Sequence, residues 1–207
     1  MILCKSHINL INKFYIGFIK DFYKQNQFTG FKQEQWVTTF EIAGAEVDFY
    51  LCFDKQILSG YEHKISADYF YEDRKKIVIN LSIYDNFNDE CFFHLNYLVK
   101  SYLLHEIEHH LQYMNCDGRE KLLNQNFTSL KEYICSKSEL EAYLKQLYYL
   151  HKVTKTSFLE LLFLESKNIS KMNFKNDEDK SDIKSLFIGN MIRYIRKRKD
   201  LNLKINF

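Results

Sequence analysis

The chain contains no proline and only 6 glycines in 207 residues, whereas asparagine, lysine, isoleucine, phenylalanine and tyrosine are abundant. We attribute this bias to an AT-rich coding sequence and not to function. An excess of charge is also missing, because 29 Lys and Arg residues oppose 27 Asp and Glu residues, which gives a formal net charge of +2. A nearly balanced charge does not favour a polyanionic partner such as nucleic acid.

Long apolar runs and paired cysteines are missing as well. No window approaches eighteen uninterrupted apolar residues, the length that a membrane-spanning helix requires, and the first residues lack the pattern of a secretory signal. The cysteines are odd in number, scattered and without a C-x-x-C pair, which argues against a disulfide framework and against a Cys-ligated zinc site; they are Cys4, Cys52, Cys91, Cys116 and Cys135. We therefore expect a cytoplasmic protein without a membrane span.

What is present suffices for a packed core, since 46% of the residues are apolar and 16% are aromatic. Periodicity changes along the chain. Residues 8–23 have the spacing of an amphipathic helix, and alternation on both sides of Gly44 predicts a β-hairpin. Residues 59–74 read as loop, and the β-branched run 76–81 reads as a buried strand. We therefore expect an α+β protein.

The second half of the chain has helical periodicity. A long helix, with Asn86, Asn88 or Asp89 as N-cap, should run to about Tyr113 and end by Gly118. Further helices are predicted over residues 136–151, 158–164 and 183–199, with an acidic linker over 176–182. The apolar residues of the long helix fall three or four apart and should bury one side of it; they are Phe92, Leu95, Val99, Leu103, Ile107 and Leu111.

The long helix carries the motif H-E-x-x-H, formed by His105, Glu106 and His109. Positions i and i+4 differ by about 400° around a helix, so the two imidazoles lie within roughly 40° of each other and can bind one metal ion. Glu106 is rotated by about 100°, from where it can reach a metal-bound water without displacing it. A polar stretch on an ordinary helix is the alternative.

A catalytic zinc usually has three protein ligands, so a third must come from elsewhere in the chain. The next helix offers two carboxylates. Glu141 shares a face with Lys137 and Lys145, which predicts a solvent-facing ion-pair partner. Glu139 shares a stripe with small and less polar residues that can approach the motif helix, so it is the preferred third ligand. Glu141 and other residues stay open as alternatives.

This arrangement resembles the gluzincin metallopeptidases, which follow H-E-x-x-H with a helical E-x-x-A; here Glu139 and Ala142 lie about thirty residues beyond the motif. Within them it is most similar to the small intracellular ImmA/IrrE-type and related phage or mobile-element proteins, whose motif helix often follows an apolar strand ending in Asn, as Asn80 does here. The resemblance covers roughly residues 76–150.

The resemblance implies a zincin-like α+β fold, with a small N-terminal sheet, a motif helix and a third-ligand helix. It implies one Zn2+ bound by His105, His109 and Glu139, with Glu106 as the general base that hydrolyses peptide bonds in a protein or peptide substrate. The zincin-like domain would span residues 1–168. The acidic linker and a C-terminal basic helix would occupy residues 169–207, packed on the domain or extending it.

The sequence departs from the family at two positions. Glu108 is charged where the family prefers uncharged residues, so it either tunes the charge at the metal or lies at the surface. Tyr143 replaces the Asp or Asn that often follows the Ala. Tyr113, Tyr143 and His151 are each interpreted as structural, with an oxyanion-stabilising role as the alternative.

Two further histidines and a basic cluster have simple interpretations. His110 points away from the predicted metal and is interpreted as a surface or supporting residue. His94 lies roughly 16 Å along the helix from His105 and is too distant to be a ligand. The cluster at residues 193–199 is interpreted as a solvated helix end, with nucleic-acid binding as the alternative. A metal-binding regulatory protein without activity is the main rival to a peptidase.

Overall fold

The computed structural model describes residues 33–55, 64–71, 75–83, 89–115, 129–172 and 182–198, together with the single positions 12 and 127. The predicted helix over residues 8–23 and most of the acidic linker over 176–182 lie outside these ranges. The chain divides into two compact units, Met1–Ile107 and Glu108–Phe207. No helix in the described ranges is both long enough and apolar enough to cross a membrane.

The first unit contains a four-stranded mixed sheet, which confirms the α+β class. Its strands are β1 (Gln33–Ile42), β2 (Ala45–Lys55), β3 (Lys64–Phe70) and β4 (Lys76–Ile83), in the order β1-β2-β4-β3. The outer pairs are antiparallel, and β2 pairs with β4 in parallel.

The predicted hairpin is confirmed and its turn explains why glycine is needed there. Ala43 and Gly44 connect β1 and β2 with positive φ angles of 53° and 77°. Two central residues with positive φ match the right-handed twist of the flanking strands, and glycine adopts this conformation without the steric cost that a side chain brings.

The two central strands build the core of the sheet. Val47, Phe49 and Leu51 of β2 are 0% exposed, and Ile77 and Ile79 of β4 are equally buried. Alternate residues point to one face, and the parallel register pairs Phe49 with Ile77 and Leu51 with Ile79. Burying each such side chain stabilises the fold by about 1.5–3 kcal/mol. A shift of the register by one residue would expose these side chains, so the buried face fixes the register. The buried strand predicted at residues 76–81 is confirmed.

Strand β3 corrects the prediction that residues 59–74 form a loop. None of the described side chains of β3 is buried, and its polar and apolar residues alternate weakly. The strand lies at the edge of the sheet, where antiparallel pairing with β4 holds it. Hydropathy does not reveal such an edge strand because main-chain hydrogen bonds, and not a buried face, define it.

Helix α1 (Asp89–Asn115) carries the motif. Leu95, Val99, Leu103 and Ile107 are at most 2% exposed, as their spacing predicts, whereas Leu111 is only half-buried. Every residue from 103 to 110 is buried, so the polar side of the helix is covered as well. The described residues do not include the predicted caps Asn86 and Asn88 or the predicted end at Gly118. The side chain of Phe92 is not described either.

The described residues of the second unit beyond α1 form mainly helices. It contains α2 (Leu130–Cys135), α3 (Lys137–Thr154), α4 (Phe158–Ile169) and α5 (Ile183–Lys197). The helices predicted for α3, α4 and α5 are confirmed, and α4 extends beyond its predicted end. The short α2 escaped prediction because six residues contain too few turns for a periodic signal. Helix α5 packs against the other three around a core that includes Leu130, Leu147 and Phe187.

Three of these helices begin with the same sequence pattern. Ser129, Ser136 and Ser157 are the N-caps of α2, α3 and α4, and each hydroxyl accepts a hydrogen bond from the backbone N–H of the glutamate three residues on. This S-x-x-E pattern satisfies donors that a helix start otherwise leaves without partners.

Candidate metal centre

The motif residues of α1 are enclosed by protein. His105, Glu106 and His109 are 5%, 6% and 7% exposed. Burying polar groups costs free energy unless they are hydrogen-bonded or bind a cation. The helix therefore buries three polar side chains that require polar contacts. The motif spacing places His105 and His109 on one face and Glu106 on the adjoining face.

The structure brings together the three predicted ligands. His105, His109 and Glu139 each offer one ligand atom, and these atoms lie within 4.8 Å of one another. Glu106 is buried but does not belong to this group. A His-His-Glu group of this kind could hold a metal ion.

Glu139 has a structural alternative, because it occupies the capping position of α3 in the S-x-x-E pattern. Its counterparts Glu132 and Glu160 test that alternative within the same chain. Both counterparts are exposed, whereas Glu139 is 7% exposed. The Glu139 Oε1 atom lies 3.3 Å from the His109 Nε2 atom. A capping role alone does not require a buried carboxylate that faces an imidazole.

Glu141 points elsewhere. Its carboxylate accepts a hydrogen bond of 2.9 Å from Arg198, and it is not part of the His-His-Glu group. It is an ion-pair partner, as predicted, but its partner is Arg198, 57 residues away, and not Lys137 or Lys145. Spacing along one helix indicates local partners only, which is why the prediction named the wrong cation.

Gln112 fixes the orientation of His109. The Gln112 side-chain nitrogen donates a hydrogen bond of 3.1 Å to the backbone carbonyl of Ser138, and the amide oxygen lies 3.1 Å from the His109 Nδ1 atom. A carbonyl can only accept, so the amide oxygen faces the ring and Nδ1 carries the hydrogen. In the neutral imidazole the Nε2 lone pair therefore faces Glu139.

The donor set fits a divalent metal. Nε2 of His109 and Oε1 of Glu139 face each other at 3.3 Å, and with a neutral imidazole a cation between these two acceptors makes the contact favourable. Tetrahedral bonds of roughly 2.1 Å place two ligand atoms about 3.4 Å apart. A ligating histidine whose other nitrogen donates to a fixed acceptor is the usual arrangement at metal sites. Sequence reasoning missed Gln112, although its i+3 spacing from His109 was a usable signal.

Two tyrosines lie beside Glu139. The Tyr133 and Tyr143 hydroxyls are 3.1 Å apart and their rings meet edge to face. Burial raises the pKa of Tyr133 well above its ordinary value, and the nearby Tyr143 and Glu139, both hydrogen-bonded to its hydroxyl, raise it further. Tyr133 therefore keeps its proton and can donate it to the hydrogen bonds around the carboxylate.

Glu108 is not a surface group, which corrects one of its two interpretations. It is 5% exposed and forms an ion pair with Lys145 of α3. Its charge is therefore balanced by a lysine from the helix that also carries Glu139. The ion pair is a further contact between α1 and α3, in addition to the hydrogen bond from Gln112 to the Ser138 carbonyl.

The other candidate residues are not members of the His-His-Glu group. His110 is 0% exposed, so the surface interpretation is wrong for it. His94 is exposed. The His151 Nδ1 atom donates to the carbonyl of Thr156 at 2.7 Å, beyond the end of α3, and Tyr143 packs against Phe187. His151 and Tyr143 thus have structural contacts that account for them.

Comparisons with known proteins add no name to this geometry: no protein-family model matches the chain, and neither a curated protein nor a solved structure is significantly similar to it.

Proposed function

We propose that the chain is a zinc-dependent metallopeptidase of the gluzincin type. The observation that carries the proposal is the convergence of His105, His109 and Glu139 within 4.8 Å beside the buried carboxylate of Glu106. Two imidazoles and one carboxylate are the ligand set of several catalytic zinc sites, and they leave one tetrahedral position for a water or a substrate.

Each residue then has a defined task. The two histidines and Glu139 hold the ion, which when bound supplies Lewis-acid polarisation of the scissile carbonyl and makes a coordinated water more acidic. Glu106 accepts the proton of the attacking water at a carboxylate oxygen and passes it to the nitrogen of the leaving amine. Gln112 keeps the His109 ring in the required tautomer.

The test compares two carboxylate variants. Glu106→Gln keeps the side-chain shape but removes the proton acceptor, so it should abolish hydrolysis of a denatured-protein or peptide pool while the zinc content and the melting temperature stay close to wild type. Glu141→Gln is the matched control, because Glu141 lies outside the metal group, and it should keep full activity.

Two outcomes contradict the proposal. Activity in Glu106→Gln equal to wild type would remove the assigned base. A wild-type protein that holds zinc but cleaves no peptide in a broad pool would instead be a metal-binding regulatory protein.

A further inference from the structure

The second unit contains a cleft of about 570 Å³, none of whose lining residues belongs to the metal centre. It lies where the end of α2 and the first turns of α3 meet the last turns of α5. The lining residues are Cys135, Lys137, Leu140, Glu141, Asn190, Arg193, Tyr194, Lys197 and Arg198.

This cleft concentrates positive charge. Four cationic side chains and one carboxylate line it, so it carries a formal charge of +3. The whole chain carries only +2, which means that all other residues together are slightly negative. The cleft therefore carries a net positive charge that the rest of the chain, taken as a sum, does not.

Three of these four cations have no carboxylate partner in the part of the chain that the structure describes. Arg198 is neutralised by Glu141 at 2.9 Å. Arg193 instead donates to neutral acceptors, the backbone carbonyl of Gly189 at 3.2 Å and the side-chain oxygen of Asn190 at 2.8 Å. Within the described ranges, Arg193 and the two lysines, Lys137 and Lys197, form no ion pair with a carboxylate.

Three exposed cations on one cleft repel each other, and an anion bound among them relieves that repulsion. Guanidinium groups bind phosphate oxygens through paired N–H donors, and lysines add compact charges. Lys137 also begins an 18-residue helix, whose N-terminus favours anions. Leu140 and Tyr194 supply a partly apolar wall.

We propose that this cleft binds a phosphate-bearing ligand of nucleotide size. Its volume lies within the range of small-molecule sites, about 300–1,000 Å³. A nucleic-acid strand would need a basic groove that continues over several nucleotides, whereas these four cations line a single cleft of about 570 Å³. The proposal needs neither a metal nor peptidase activity.

The test is a binding titration of the full-length protein at low salt with three probes: ATP as its Mg2+ complex, inorganic pyrophosphate, and a twelve-nucleotide single-stranded oligonucleotide. ATP should bind, pyrophosphate should bind more weakly, and both affinities should fall as salt is raised. Bound ATP should also slow the alkylation of Cys135, which is exposed and accepts a hydrogen bond from Asn190 at 3.0 Å.

Charge reversal provides the matched variants. Arg193→Glu and Lys197→Glu should each weaken ATP binding at least tenfold, and both residues are exposed, so the fold should survive. Arg196→Glu makes the same charge change on the same helix without touching the cleft, and it should alter binding less than threefold.

Three results would overturn the proposal. ATP could fail to bind at millimolar concentration, or Arg196→Glu could weaken binding as much as the cleft variants, which would indicate diffuse attraction. Binding of the oligonucleotide without binding of ATP would assign the cleft to nucleic acid instead.

Discussion

Helix α1 buries polar side chains in both of its halves, but these side chains have different surroundings in the two halves. In the N-terminal half, Asn96 and Lys100 are 9% and 5% exposed. The Asn96 Oδ1 atom is buried, and no group among the described residues donates a hydrogen bond to it. The Lys100 ammonium lies 5.6 Å above the Tyr97 ring, and burial lowers the pKa of Lys100 to about 8.

In the C-terminal half, two of the buried groups, Glu108 and His109, meet specific partners. His109 contacts Gln112 and Glu139, Gln112 is bonded to the backbone of α3, and Glu108 is paired with Lys145. Burial of a polar residue is therefore not what identifies a site in this helix. The identifying feature is that the ligand atoms of three buried residues, His105, His109 and Glu139, lie within 4.8 Å of one another.

The largest expected effect comes from removing one of these three ligand groups. Glu139→Ala should raise the dissociation constant for zinc at least a thousandfold, about 4 kcal/mol, because one of three ligands is lost. A competition titration against a chromophoric chelator measures this. Glu141→Ala should change the constant less than threefold, and equal losses in the two variants would contradict the ligand assignment.

A smaller effect is expected from the residue that orients His109. Gln112→Leu should weaken zinc binding roughly 10- to 100-fold, the usual cost of losing a hydrogen-bond partner of a metal ligand. Gln112→Glu still accepts from the Nδ1–H group and should retain most of the affinity. Nitrogen-15 shifts of the His109 ring should report Nδ1–H in wild type, and an Nε2–H tautomer in the metal-free protein would contradict the account.

The Glu108–Lys145 pair should contribute to stability and not to the metal directly. Lys145→Met leaves a buried carboxylate without its cation, which is strongly destabilising when a pair is fully buried. The Lys145 side chain is 35% exposed, so water moderates the loss, and we expect about 1–2 kcal/mol in urea unfolding with chelator present. Adding Glu108→Gln should recover most of it, whereas an additive double mutant would show that the two residues are not coupled.

The smallest expected effect on stability comes from Lys100, in the N-terminal half of α1. The pKa of Lys100 is lowered from 10.5 to about 8 in the folded protein, so between those values the unfolded chain binds more protons and stability rises with pH. Below pH 8 the cost of burying the charge is fully present.

Lys100→Met should therefore stabilise the protein at pH 7, by at most about 1 kcal/mol because the ammonium is only partly shielded from water. Its advantage should shrink toward pH 10. Lys152 also lies over a tyrosine ring, at 5.1 Å, but is exposed, so Lys152→Met should change the free energy of unfolding at pH 7 by no more than about 0.5 kcal/mol. A constant advantage of Lys100→Met from pH 7 to pH 10 would contradict the assignment.

The sequence predicts those parts of the molecule that depend on local geometry. The i, i+4 spacing places His105 and His109 on one face, and the stripe of α3 distinguishes Glu139 from Glu141. Alternation and a glycine with positive φ define the hairpin at Gly44. Each of these follows from the period of a helix or a strand, which the residues themselves report.

The remaining features depend on contacts between elements that are distant in sequence. Strand β3 is held by pairing with β4, Lys145 meets Glu108 across 37 residues, and Arg198 meets Glu141 across 57. Single-helix spacing suggested nearer partners for Glu141, and packing between helices placed Arg198 against it instead.

The central claim is that His105, His109 and Glu139 bind one zinc ion. Metal analysis and X-ray absorption spectroscopy of protein purified without added metal test it most directly. We expect close to one zinc per chain, with two imidazole nitrogens and a carboxylate oxygen at roughly 2.0–2.2 Å. A folded protein that contains no metal, or a zinc ion with sulfur ligands, would contradict the account.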